Sequence, residues 1–170
     1  LAAIDLQGTL RDYIGSADAN GGFQVRGDFA GLGWSPAAGW PGMTGLDGQL
    51  HLSPQGGRID LAARDAVFTD PDLFRDPLEL AAIDGAVHLE RNATGIKLDA
   101  PALSARNPDI RGEARLLLEL PSDGSPWLDM QVDFRDGDAV TQSRYLPVGI
   151  MFPELVDWLD DAIVAGEVRS

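Results

Sequence analysis

Between residues 110 and 120 the chain alternates with a period of two: Ile110, Gly112, Ala114, Leu116, Leu118 and Leu120 interleave with Arg111, Glu113, Arg115 and Glu119. Successive side chains of a β-strand point to opposite faces, so this segment makes one oily face and one charged face. Similar segments recur around Ile4 and over residues 25–29, 46–52, 59–63, 83–89, 96–100 and 128–134. A chain of such strands must cover a large apolar surface, because an oily face left in water is unfavourable in proportion to its area. What covers that surface is therefore the functional question.

Short turns separate the segments. Residues 54–57 (Pro-Gln-Gly-Gly), 92–95 (Asn-Ala-Thr-Gly) and 122–125 (Ser-Asp-Gly-Ser) supply the glycines and side-chain acceptors of tight reversals, which predicts antiparallel hairpins. Long βαβ crossovers are missing, so a parallel sheet is not expected. A weak repeat reinforces this reading. Leu46-Asp47-Gly48-Gln49-Leu50-His51-Leu52 matches Ile83-Asp84-Gly85-Ala86-Val87-His88-Leu89, with Ile59 and Ile96 thirteen residues beyond the two starts. Each copy reads as one hairpin, and the spacing falls in the range of stacked supersecondary units.

Two stretches break the pattern, 34–42 with two tryptophans and 69–77 around Leu73-Phe74. Both read as loops whose aromatics pack over a sheet end, with aromatic gating of a cavity mouth as the alternative. Residues 153–164 form the one expected helix, with proline in the first turn, early acids and Gly166 as a stop. Its stripe of Leu155, Leu159, Ala162 and Ile163, flanked by Val156 and Trp158, predicts that it lies on the sheet's apolar surface or plugs one end.

Twenty-seven acidic against 13 basic residues give a net charge of −14, which opposes contact with nucleic-acid phosphates or an anionic lipid surface. Apolar runs are far shorter than the roughly 20 residues of a membrane-spanning helix. No charged start followed by an apolar run is seen, so no signal peptide is expected. With no cysteine, disulfides, thiolate metal sites and thiol nucleophiles are excluded together.

Candidate chemistry is sparse. The alternation places His51 and His88 on the charged face, at equivalent repeat positions, without the further spaced ligands of a metal site. Asp133, Asp136 and Asp138 around Gly137 lack the spacing of a twelve-residue calcium loop and read as a solvated turn. The Asn92-Ala93-Thr94 triplet fits a glycosylation acceptor but is explained by turn chemistry. Nothing singles out a glycosidase carboxylate pair, and no nucleophile elbow, phosphate loop or His-Glu-x-x-His motif occurs. Neither a catalytic residue nor a cofactor or metal ligand is assigned, and the chain is not expected to be an enzyme.

Several words along the chain carry a resemblance. They include Phe29-Ala30-Gly31-Leu32-Gly33-Trp34, Trp40-Pro41-Gly42, Gly56-Gly57-Arg58-Ile59-Asp60-Leu61, Leu73-Phe74-Arg75-Asp76-Pro77-Leu78 and Tyr145-Leu146-Pro147-Val148-Gly149-Ile150-Met151. In this order, and followed by Trp158-Leu159-Asp160 and Ala162-Ile163-Val164-Ala165-Gly166, they resemble the YhdP family of AsmA-like bacterial envelope proteins. The resemblance implies a mainly β fold, a curved antiparallel sheet of stacked hairpins (a β-groove) with a single C-terminal α-helix. It also implies that residues 1–170 are one fragment of a longer protein, with groove repeats over 1–142 and a loop plus amphipathic helix over 143–170. By the same resemblance the fragment is the periplasmic part of an inner-membrane-anchored protein that conducts phospholipids between the two membranes.

A groove for acyl chains needs a continuous apolar surface. The alternation assigns its lining to Val25, Phe29, Leu50, Leu52, Ile59, Leu61, Val87, Leu89, Ile96, Leu98, Ile110, Leu116, Leu118, Met130, Val132 and Phe134. Expected partners are phospholipid acyl chains and neighbouring repeats of the same chain, with a dimer or a tucked helix covering the oily face of an isolated fragment. From alternation alone a closed β-sandwich, acting as an interaction or scaffold module, stays open as the alternative.

Overall fold

The computed structural model describes residues 5–135 and 143–162. Eight strands follow one another as a simple meander: β1 (Gln7–Ala17), β2 (Phe23–Trp34), β3 (Gly42–Ser53), β4 (Gly56–Thr69), β5 (Leu78–Asn92), β6 (Gly95–Arg106), β7 (Arg111–Pro121) and β8 (Trp127–Arg135). They form one sheet in the order of the sequence, and every neighbouring pair is antiparallel. A short 3-10 turn (Val148–Ile150) and one helix, α1 (Pro153–Ala162), follow. Among the described residues no second sheet faces the first, so they form one open sheet and not a closed sandwich.

Hairpin chemistry matches the turn residues. At the β5–β6 reversal the Asn92 carboxamide oxygen accepts from the backbone N–H groups of Thr94 and Gly95 at 2.8 and 3.1 Å, and from the Thr94 hydroxyl at 2.6 Å. The two copies of the sequence repeat lie two strands apart in register: Gly48 and Gly85 share one cross-strand row, Leu50 and Val87 the next, Leu52 and Leu89 a third.

Breaks in the ladder bend the sheet. Register shifts lie in β1 between Arg11 and Ile14, in β2 between Phe29 and Leu32, in β3 between Thr44 and Gly48, and in β6 between Ala100 and Leu103. Asp12, Gly31, Gly45 and Asp65 have positive φ at these irregularities. Each extra residue bends its strand and increases the local twist, and the Gly31 bulge is stapled by a 2.8 Å bond from its N–H to Asp47. Phe29, Leu46, Ala63, Ala66 and Ile83 form the buried cluster on the inner side of the curve. Its alanines fit because a concave surface leaves little room, and among the described residues no large side chain is fully buried.

One expectation needs correction, and one falls outside the described residues: the strand expected around Ile4 lies there, and the first described strand is Gln7–Ala17. Its alternation is hidden by the Asp12 bulge, which puts Leu10 and Tyr13, rather than residues of one parity, beside Phe29 and Gly27. The helix neither lies on the oily face nor plugs its end. None of its residues is buried, and it is held at loop 69–77 by the Arg75 guanidinium, which donates to the two oxygens of Asp160 at 3.3 and 2.6 Å. This ion pair fixes the helix from its polar side and leaves Trp158 62% exposed. Ile163 and Gly166 lie outside the described residues.

Candidate functional site: one oily face

Antiparallel register arranges the apolar side chains in rows that cross the strands. One row joins Val25, Leu52, Gly57, Leu89, Leu98, Leu118 and Leu128. A second joins Gly27, Leu50, Ile59 and Val87, and its line is taken up beyond the β6 bulge by Ala100, Leu116 and Met130. A third crosses all eight strands through Leu10, Phe29, Gly48, Leu61, Gly85, Leu103, Ala114 and Val132. A fourth runs Ala63, Ile83, Ala105, Gly112, Phe134. Ile96 pairs with Leu120 at one rim, and Ile110 lies at the other beside Phe134. All sixteen residues assigned to the lining thus share one face. At about 4.8 Å between strands, an eight-strand row extends roughly 33 Å.

The face is concave. Met43 of β3 and Phe134 of β8 line the same cavity of about 220 Å3, although five strand spacings in a flat sheet would separate them by roughly 24 Å. Leu78, Leu80, Ile83, Leu103 and Ala105 supply its floor, Phe74 comes from loop 69–77, and Tyr145 comes from the segment after β8. Phe74 meets Phe68 edge to face, with ring centroids 6.1 Å apart. Tyr145 is fixed by its hydroxyl, which accepts from Asn107 Nδ2 at 2.6 Å and donates to Asp109 at 3.1 Å. Burial raises the Tyr145 phenol above the ordinary tyrosine value. The 3-10 turn is tied to loop 69–77 by Gly149 N–H donating to the Leu73 carbonyl at 3.1 Å. Phe74 and Tyr145 therefore pack over one rim, as the loop reading of 69–77 expects for Phe74; at the other loop Trp34 joins the core cluster and donates to the Pro41 carbonyl at 2.8 Å.

Oily surface stays open towards β8, where Leu128, Met130 and Phe134 are 54%, 54% and 61% exposed. Among the described residues no polar or charged residue is buried. Charge sits on the other face, where Arg26, His51, Arg58, His88 and Asp99 share one cross-strand row. Arg58 separates the two histidines and hydrogen-bonds Asp60, holding that carboxyl below the usual carboxylate range. Asp133 lies on this face opposite Glu113, while Asp136 and Asp138 lie outside the described residues. No group of three or more His, Asp or Glu side chains among the described residues is placed to hold a metal ion.

The lining assigned from period two leaves out Met43, Leu46, Leu78, Leu80, Ile83, Leu103 and Leu128. Leu46, Ile83 and Leu128 keep the parity of their strands, whereas Met43 and Leu103 lie beyond a bulge, where an extra residue reverses it: alternation from Ile96 through Leu98 and Ala100 reaches Ala102, but the bulge puts Leu103 on the oily face. The signal was present in Gly31, Gly45 and Pro101, residues that mark ladder breaks.

An open, curved antiparallel meander with one uninterrupted oily face, uncovered by a second layer among its described residues, defines a class of sheet protein whose interior is a surface. The chain belongs to the YhdP protein family, whose model matches residues 1–170. It is 26% identical over 139 residues to the intermembrane phospholipid transporter YhdP of Escherichia coli (strain K12), an alignment covering 82% of this chain and 11% of that relative. The chain thus spans about a ninth of the relative's length. No solved structure matches it.

Proposed function

We propose that this chain is a segment of a phospholipid-transport conduit in the bacterial envelope, and that its concave face carries acyl chains across the periplasm. The observation that carries this reading is the apolar row from Leu10 to Val132, unbroken by charge over eight strands. Acyl chains lying along such rows need no specific hydrogen bonds, since each methylene removed from water contributes about 0.8 kcal/mol. Binding is then weakly selective, and movement is partition and sliding rather than chemical turnover.

The sixteen lining residues take the role of acyl contacts, while head groups stay in water at the rims. The relative's description as an intermembrane phospholipid transporter supports this substrate class. Both edge strands support a longer trough. All of β1 is exposed, and among the described residues no strand pairs with the outer edge of β8, whose leucine, methionine and phenylalanine are exposed. Such edges are continued by neighbouring strands of the same long chain, as in stacked arrays. Among the described residues no helix is long and apolar enough to cross a membrane, so the anchor of this reading lies elsewhere in the longer protein. Purification from cells followed by mass spectrometry is expected to find phospholipid, displaceable by a fluorescent fatty-acid analogue. A lipid-free protein that displaces no probe overturns the proposal.

A further inference from the structure

The alternation of β5 carries one cation onto the oily parity. Val87, Leu89 and Arg91 follow one another at two-residue steps in a continuous β4–β5 register, so Arg91 stands where the pattern calls for an apolar residue. Every other lysine or arginine on a described strand, from Arg11 to Arg135, falls in register with the charged face. Arg91 sits at the rim made by the tight turns: its backbone N–H donates to the Gln55 carbonyl at 2.7 Å, and its row continues across β6 and β7 through Ile96 and Leu120. No acid stands in that row. Glu90 is the neighbour in sequence but belongs to the charged face, opposite Lys97. Arg91 is exposed, and its side chain makes no hydrogen bond or ion pair with any described residue, in a chain whose 27 acids outnumber its 13 bases. An arginine at a rim can lay its stem on hydrocarbon and keep its head in water, which explains why the position tolerates it but not why it lacks an acid partner. Beside it, between the β5–β6 and β7–β8 turns, the rim opens into a hollow of about 400 Å3 lined by Ile96, Leu120, Thr94, Ser125 and Trp127. Lys97 and Glu119, which also reach this hollow, face each other across β6 and β7. Leu89 lies two residues inward from Arg91, roughly 7 Å along the strand, on the row that runs through Leu98 and Leu118.

We propose that Arg91 binds the phosphate of a phospholipid whose hydrocarbon lies on the row through Leu89, Leu98 and Leu118, with the headgroup in the rim hollow. The hydrocarbon half of this statement rests on the transport reading above. A guanidinium fork matches two oxygens of a phosphate, and among the described strands Arg91 is the one cation placed to offer it from the oily side. An exposed contact of this kind is weak, which suits a conduit, since the headgroup must be released for the lipid to move on. The groove then prefers lipids that carry phosphate to neutral diacylglycerol without arresting them.

The test compares dihexanoyl phosphatidylglycerol, dihexanoylglycerol and inorganic phosphate by titration calorimetry, on the unaltered protein and on Arg91→Gln and Arg91→Glu. Lys97→Gln, at the same level of the sheet but on the charged face, is the control, and thermal melting checks that all variants fold. The expected result is a loss of phosphatidylglycerol affinity of about fivefold in Arg91→Gln, a larger loss in Arg91→Glu, less than about twofold change for the neutral lipid, and no loss in the control. The phospholipid loss should shrink at high salt. Equal losses for both lipids, no loss for either, or an Arg91→Glu variant no weaker than Arg91→Gln overturns the Arg91 contact while leaving the conduit intact. Inorganic phosphate binding as tightly as the phospholipid makes Arg91 a free-anion site and overturns the lipid assignment. Failure of both lipids to bind the unaltered protein overturns this proposal together with the transport reading.

Discussion

Val132→Asp separates an oily surface that receives a ligand from one that only holds the fold together. Val132 lies on the eight-strand row and is 38% exposed. Full burial of a valine contributes about 1.5–3 kcal/mol, so removing a side chain covered for somewhat over half its surface costs about 1–2 kcal/mol. The new carboxylate can still reach water in the empty protein, and the fold should survive with a modestly lowered Tm. With an acyl chain laid over the row, the same carboxylate would be desolvated without a partner, at an effective penalty of several kcal/mol. Probe affinity should therefore fall at least 100-fold. Ala63→Asp is the contrast, because Ala63 has no exposure at all and an unpaired charge there should prevent folding. Circular dichroism melting and fluorescent fatty-acid titration read both effects. The reasoning fails if Val132→Asp unfolds the protein as Ala63→Asp does, or if it folds and binds the probe as tightly as the unaltered chain.

Other perturbations address the parts that hold this face. At Gly149 an added Cβ would collide with the Asp72 carbonyl oxygen, so Gly149→Ala should detach the 3-10 turn from loop 69–77 at a cost of about 1–3 kcal/mol, read as a lower Tm. Gly48→Ala should destabilise similarly in denaturant titration, since its Cβ would press on the Asp60 carbonyl across the β3–β4 pair. Tyr145 has a raised folded-state pKa, so its stabilising contribution is complete below the unfolded tyrosine value and is lost as pH rises through the folded one. Phenolate absorbance should show a tyrosine titrating late, and Tyr145→Phe should abolish that phase. Asp60 has a depressed pKa, so its pairing with Arg58 contributes above the unfolded carboxylate value and disappears as pH falls through the folded one; a carboxyl NMR titration should place Asp60 below an ordinary aspartate.

How much of this was legible in the sequence depended on where the ladder runs straight. Strand β7 has no bulge, and reading its alternation put Leu116 and Leu118 on the oily face and Arg115 on the charged one, as the register places them. The Asn92 turn and the repeat pairing Leu52 with Leu89 were equally readable, because turn chemistry and repeat spacing are local. Parity fails across a bulge, which is why Leu103 and Met43 escaped notice although they lie in strands. The helix shows a different limit. Its amphipathic pattern predicts a helix over 153–164, where the structure describes α1 over Pro153–Ala162, but what it packs against is a long-range matter. Arg75 and Asp160, 85 residues apart, decide it.

The central claim is that lipid chains occupy the concave face of this segment within the longer protein. A photo-crosslinking residue at position 118, on the oily face, should capture phospholipid in cells, and the same residue at position 115, on the charged face, should not. Capture at both positions alike, or at neither, would contradict the account.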